Sequence, residues 1–565
     1  MNNMHSKIDS NVTVFNQAFL WRICAIAAMG GLLFGYDLIV IGGAKPFYEA
    51  YFVIYNNPWM QGWVMSTAVV GCLIGVLLSG TLADAFGRKK LLILAAVMFT
   101  ITAIGMALAT SLVTFCIFRV VGGMGIGLAS ALSPMFIAEV TPKQHRGRFV
   151  SFQQLTIVIG ILAAQIVNLM IADYIAHRFT PKEITARITE IETETRTKIN
   201  VLKRELDRIQ LSSNVLRADA LLQAFELDRT PKETTALITE IEGKTRKKID
   251  EGKQEIDKIQ QESNVRRAEA LLDTWNGQWG WRCMFGAGVV PAFAFLFLLL
   301  FVPESPRWLV KNGKSAQARI ILANVGGEEY ADSEIRDIEQ TLDVDMQGRV
   351  RFSDLLDRRI LPILSFGIFL AVFQQWCGLN VFLLYAEEVF RSAGYDISGL
   401  MFNIVITGFI NLVFTFIAIA TIDRWGRRPL MLFGAGGLAI LHAILGYCFC
   451  IGMTGPLVLV LVLAFIGCFA MTLGPTVWVI LAEIFPNRIR GAAMSVAVAS
   501  LWMANLVLTQ TFPLLNSALK AHGTFWIYGG ICAVSFVVIF LKLPETKGKS
   551  LEEIEKVFLG KEDKG

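Results

Sequence analysis

Apolar residues in this chain gather into long runs separated by short polar stretches. The runs fall at about 20–43, 59–82, 91–110, 112–138, 149–173, 281–302, 360–385, 399–422, 429–452, 456–482, 491–515 and 523–543. A helix needs roughly 20 apolar residues to cross a bilayer, so the pattern predicts twelve membrane helices. Two polar stretches interrupt the series. The first, 176–276, repeats itself with a period of 50: TPKE at Thr180 returns at Thr230, and ITEIE at Ile188 returns at Ile238. Within it Ile184, Ile188, Ile191, Ile199, Leu202, Leu206 and Ile209 keep the three-and-four spacing of a helix burying one seam. A pair of helical hairpins is the expected form. The second stretch, 303–359, alternates in charge and predicts short amphipathic helices.

Loops carrying Arg88, Lys89 and Lys90, then Lys143, Arg146 and Arg148, then Arg424, Arg427 and Arg428, then Arg488 and Arg490 alternate with loops nearly free of basic residues. The positive-inside rule puts those loops and both termini in the cytoplasm. The two halves also echo each other. Asp84, Gly87 and Arg88 recur as Asp423, Gly426 and Arg427 at an offset of 339; Glu139 and Arg146 recur as Glu483 and Arg490 at 344. PESPRWL at Pro303 and PETKGKS at Pro544 are only 241 apart, so about 100 residues were inserted between the first half's last two motifs. The expected organisation is a first bundle over 1–175, an extracytoplasmic helical insert over 176–276, a sixth span over 277–302, a cytoplasmic linker over 303–359, a second bundle over 360–543 and a tail over 544–565. Duplicated six-span units hold their substrate between the halves in many secondary transporters.

Composition narrows the function. A hydrophobic content of 54% with mean hydropathy +0.53 excludes a soluble enzyme of this length. The net charge of +5 sits in loop clusters, a topology signal that leaves no basic face for nucleic acid. All nine cysteines lie within apolar runs and read as small buried hydrophobes. The glycines at 122, 123, 125 and 127 and at 434, 436 and 437 lie inside spans and read as close helix packing. His442 reads as a packed neutral side chain. No metal-ligand set, cofactor motif or nucleophile with a neighbouring base occurs, so no enzyme activity is expected. The polar N-terminus lacks a cleavable apolar segment, which keeps the first span in place.

The candidate chemistry begins at Asp37, near the far end of the first run. A carboxylate inside a membrane helix costs about 2.5–3.5 kcal/mol on insertion scales and marks a functional site by default. Arg119 lies about as deep in the fourth run. In helices of opposite direction both would sit about 10 Å below the surface of the same membrane half. An acid that can lose its proton opposite a fixed cation is a proton switch.

GLLFGYD ending at Asp37, the Asp84/Arg88 and Asp423/Arg427 loops, PESPRWL, QQWCGLN at Gln374 and PETKGKS together resemble the sugar porter family of the major facilitator superfamily. The run from Arg119 is most similar to bacterial xylose/proton symporters. The resemblance implies the major facilitator fold, two six-helix halves with the helical segment inserted, and proton-coupled import of a monosaccharide across a bacterial inner membrane by a monomer. It implies Asp37 and Arg119 as the coupling pair. It implies Gln154, Gln374, Gln375, Asn380, Asn411, Trp478, Phe34, Tyr385 and Trp502 as the sugar contacts, and amides both donate to and accept from hydroxyls. It implies a cytoplasmic gating network of Asp84, Arg88, Glu139, Arg146, Glu304, Arg307, Asp423, Arg427, Glu483 and Arg490.

Three positions depart from the family's sugar-binding pattern: Ile161 on the Gln154 face, Leu384 before Tyr385 and Leu501 before Trp502. They leave the sugar open. Two other readings also stay open, a proton-independent facilitator and a transporter-like receptor whose insert meets an extracytoplasmic protein.

Overall fold

The computed structural model describes residues 15–142, 144–179, 182–226, 231–347, 355–395, 397–486 and 489–547. They form two compact units, one of Met1–Lys45, Pro58–Ala172 and Trp281–Gly565, the other of Pro46–Asn57 and Asp173–Gly280. Among the described residues no strand forms, and eleven helices are long and apolar enough to cross a membrane.

In chain order the helices are α1 (Gln17–Tyr51), α2 (Pro58–Phe86), α3 (Arg88–Leu108), α4 (Leu112–Val140), α5 (Arg146–Leu169), α6 (Lys182–Glu226), α7 (Pro231–Leu272), α8 (Asn276–Leu299), α9 (Pro306–Lys311), α10 (Ser315–Gly326), α11 (Glu328–Gln347), α12 (Leu361–Leu384), α13 (Ala386–Ser392), α14 (Ile397–Trp425), α15 (Arg427–Cys450) and α16 (Pro456–Ile484). The last, Arg490–Lys542, takes φ 58 and ψ 177 at Lys520, outside the helical region. That break divides it into α17 (490–519) and α18 (521–542). The twelve expected spans are thereby all present: α1 to α5, α8, α12 and α14 to α18.

Small residues let the spans approach. A side-chain carbon on Gly123 of α4 would lie 2.0 Å from the Ala68 carbonyl oxygen of α2, and one on Gly127 would lie 2.3 Å from that of Cys72. The two backbones touch there, as they do where small residues line membrane helix contacts. The basic loops share one end of the bundle, hereafter the basic end. There the Asn16 amide donates to the Val325 carbonyl at 2.8 Å, tying the entry to α1 to the linker. The linker helices α9 to α11 close over a small core of Trp308, Leu309, Ala318, Leu322, Ala331 and Ile338. Arg319 grips Asp332 through two bonds of 2.7 and 3.1 Å and holds that carboxyl below its usual range.

The second unit corrects one expectation. Each 50-residue copy forms a single long helix, so the insert is one hairpin of α6 and α7, not a pair of hairpins. The seam runs unbroken through each copy with no proline beyond the first turn, and the junction between copies, 227–230, lies outside the described residues. The pairing is reciprocal at the repeat offset: Thr195 with Ser263 at 2.7 Å and Thr245 with Ser213 at 2.9 Å, Arg267 with Glu192 and Arg217 with Glu242 both at 2.9 Å.

The cysteines need a second correction. All nine are free, but Cys283 and Cys450 are exposed on the bundle surface. An apolar span buries only one face, and lipid accepts a thiol on the other.

Candidate functional site

Asp37 on α1 and Arg119 on α4 are neighbours, as their depths require. Arg119 is 1% exposed, and its Nη1 donates to the backbone carbonyl of Asp37 at 3.4 Å. Gly122, one turn along α4, leaves room for the carboxylate, since a side-chain carbon there would sit 3.3 Å from Asp37 Oδ2. Among the described residues Asp37 Oδ2, Arg119 Nε and Arg119 Nη2 are buried without a hydrogen-bond partner. The acid and the cation therefore share a site without a direct ion pair in this conformation.

Four of the expected sugar contacts, Gln374, Gln375, Asn380 and Trp478, lie beside interruptions in their helices. Gly378, with φ +97, breaks α12 between Gln374/Gln375 and Asn380. A residue with a side chain rarely adopts that angle. Gln374 Nε2 donates to the carbonyls of Leu473 and Gly474 at 3.3 and 3.0 Å, which α16 frees at its own break at Thr472. Its Oε1 stays buried and unpaired. Asn380 Nδ2 donates to Gln375 Oε1 at 2.6 Å. Trp478 follows the α16 break and is 36% exposed. Phe34 and Trp502 meet across the halves with ring centroids 5.8 Å apart. Gln154 is half-buried and Asn411 buried. Tyr385 stands apart from this group: it is sealed in packing, and its hydroxyl donates to the Thr509 carbonyl at 2.6 Å.

The charged motifs form two copies of one arrangement. Gly87 and Gly426, at φ +94 and +92, turn the chain into α3 and α15. Glu304 accepts from the amides of Arg88 and Lys89 at 2.9 and 3.0 Å, and Glu545 accepts from those of Arg427 and Arg428 at 3.0 and 3.1 Å. A carboxylate on free helix-start amides is stabilising. Burial alone would raise the Glu545 carboxyl, but the amides of Lys547, Arg427, Arg428 and Thr546 outweigh it and hold the group below its usual range. Arg88 Nη2 bonds Glu139 at 3.0 Å and Arg427 Nη2 bonds Glu483 at 3.1 Å. Ser305 and Thr546 donate to the second oxygens of those two glutamates. Asp84 joins the first copy through Arg88 and Lys311. Arg490 instead caps the Phe485 carbonyl at 3.2 Å, and Arg307 is half-buried on α9. The side chains of Arg146 and Asp423 lie outside the described set. The bonds just described in each copy join helices of one half to its own linker or tail.

At the opposite end the halves meet directly, through residues that sequence reasoning missed. Lys45 of α1 is 1% exposed. It bonds Glu388 of α13 and lies 3.7 Å from Glu387, which in turn lies 3.3 Å from Arg391. One turn before Lys45, Gly42 abuts the carbonyls of Leu383 and Leu384. Gln510 of α17 accepts from Ser66 of α2 at 3.0 Å and donates to the Trp59 carbonyl at 3.1 Å. The bundle is closed at this end by contacts between its halves. The available signal was a cation just past the first apolar run and an acid pair just past the seventh.

Comparison with known proteins identifies the family and the fold. The family model described as "Sugar (and other) transporter" matches residues 23–181 and 267–558, and the gap between them falls on the insert. The D-xylose-proton symporter of Escherichia coli (strain K12) is 34% identical, over 96% of this chain and 96% of that one. The arabinose-proton symporter of Bacillus subtilis (strain 168) is 32% identical, over 99% and 100%. Among solved structures, a partially occluded inward-open conformation of the E. coli xylose transporter superposes with a TM-score of 0.68 at 31% identity, covering 94% of this chain and all of that one.

Proposed function

Because this chain belongs to the sugar transporter family of the major facilitator superfamily, we propose that it imports a monosaccharide, a pentose or hexose, together with a proton across a bacterial inner membrane. Asp37 carries the proposal: a carboxylate within a span, beside a buried arginine it does not pair with. In the outward-facing state an ionised Asp37 pairs with Arg119. Protonation releases the arginine, sugar binds the amides and Trp478, and the end held by Lys45 closes. Both cargoes then leave at the basic end, which the positive-inside rule makes cytoplasmic. Two features support an inward-facing conformation: the closed Lys45 end, and an Asp37 and Arg119 that form no ion pair with each other.

In liposomes with an imposed pH gradient, the unaltered protein is expected to concentrate sugar. Asp37→Asn is expected to abolish that accumulation while equilibrative exchange remains. Undiminished accumulation by the variant rejects the coupling role of Asp37. Equal accumulation with and without the pH gradient rejects symport.

A further inference from the structure

The break in α12 at Gly378 sets where two amides point. In an unbroken helix the side chains of residues 375 and 380 stand about 140° apart round the axis. Here Asn380 Nδ2 bonds Gln375 Oε1 at 2.6 Å, so these two expected sugar contacts meet only because the helix is broken between them. The break also frees a carbonyl. The Val381 amide, which would serve Cys377 in a regular helix, donates to the Gly378 carbonyl instead, at 3.1 Å. A bare carbonyl inside a membrane span is costly, and the oxygen of Cys377 needs a donor from another helix.

That donor is His442 of α15. Its Nε2 lies 2.9 Å from the Cys377 carbonyl oxygen, and because a carbonyl only accepts, Nε2 carries the ring hydrogen. The Cys532 thiol of α18, a weaker donor, approaches the same oxygen at 3.8 Å. The imidazole is fully buried and touches α12 on both sides of the break, since its ring also stacks on Phe382 with centroids 6.1 Å apart. Two glycines make room for it. A side-chain carbon on Gly378 would lie 2.9 Å from Nε2, and one on Gly529 of α18 would lie 3.2 Å from the His442 Cβ. Nδ1 has no partner among the described residues, so the hydrogen bonding of this ring is spent on the break.

We infer that His442 is a positioning residue of the sugar site, an inference resting on the sugar-carrier reading above. By holding the Cys377 carbonyl before the break and Phe382 after it, His442 fixes the angle between the two parts of α12 and with it the pairing of Gln375 and Asn380. It acts from behind the helix and touches no sugar itself. Without its donor, the freed carbonyl is best served by the Val381 amide again. Recovering that bond straightens the helix and swings the two amides apart.

The test measures kcat and KM in liposomes for labelled D-xylose, L-arabinose, D-glucose and D-galactose, using the full chain. For each sugar that the unaltered protein moves, His442→Leu should raise KM by about ten- to a hundredfold, the range for losing one buried hydrogen bond, and change kcat by less than about threefold. His442→Gln, whose amide nitrogen stands where Nε2 does, should return KM to within about threefold of the original. His442→Asn, whose shorter side chain puts its amide where Nδ1 lies, should not. The effect should also run through the amide pair: in an Asn380→Ala background, His442→Leu should raise KM by less than about twofold further, because no pair remains to align. Should His442→Leu fail to fold, the Gln and Asn variants carry the same comparison alone and in that background. Equal KM values in the substituted proteins, whether raised or normal, assign His442 to packing and overturn the inference. So does a full rise in KM in the Asn380→Ala background, or a fall in kcat at unchanged KM. An unaltered protein that moves none of the four sugars overturns the carrier reading instead, and the inference with it.

Discussion

Replacing Lys45 by methionine tests how the bundle is held shut at the end away from the basic loops. The cluster there balances two acids, Glu387 and Glu388, with two bases, Lys45 and Arg391. Lys45→Met keeps most of the side-chain volume but takes from the buried Glu388 the cation it bonds. Removing one partner of a buried pair typically costs about 3–5 kcal/mol. That cost falls on the closed state alone, because an open vestibule lets water reach the orphaned acid. At about 1.4 kcal/mol per tenfold change, the closed-to-open ratio should fall by roughly two to nearly four powers of ten. Lys45→Met with Glu388→Met leaves Glu387 with Arg391, a balanced pair. Exchanging a buried ion pair for apolar groups is neutral or stabilising by about 1–4 kcal/mol, so the double variant should close as firmly as the original or more so. Hydrogen exchange of the protein in lipid nanodiscs reports both effects by segment. Lys45→Met should speed exchange in α13 and the start of α2 and slow it around Arg88 and Arg427, with the double variant reversing both. Uniform acceleration in every segment would mean general destabilisation and refute the assignment. Unchanged exchange in the single variant would refute it equally.

Two further outcomes follow from geometry away from the substrate path. Glu545→Gln should lower stability at neutral pH by about 1 kcal/mol, the usual worth of a helix-start cap. Because the folded carboxyl is held below its ordinary value, its contribution is complete above the unfolded value and disappears as pH falls through the folded one; thermal unfolding of the two proteins should therefore converge in acid. Gly123→Ala places a methyl carbon 2.0 Å from the Ala68 carbonyl oxygen, and forcing α2 from α4 should cost about 1–3 kcal/mol, seen as a lower unfolding midpoint in detergent.

Much of this molecule was written in periodicities that survive without coordinates. Span length is set by bilayer thickness, so twelve crossings could be counted from apolar runs, and the duplicated Asp84/Arg88 and Asp423/Arg427 motifs gave the two halves. The depth of Asp37 and Arg119 along their helices was enough to make them neighbours. What escaped depended on partners distant in the chain. Lys45 stands 343 residues from Glu388, and nothing local says that its charge is buried. Glu304 looked like a member of an ion-pair network, but it binds backbone amides, as does Glu545, and a sequence of side chains does not display such bonds. For the insert, spacing identified the buried seam but not what would fill it, hence one hairpin where two were expected.

The insert's two copies pair antiparallel about a local two-fold, each contributing the same residues to both sides of the contact. Either copy is therefore its own complement. A chain trimmed to one copy would keep an unfilled groove that another such chain could fill, so shortening this region should draw such chains together in couples.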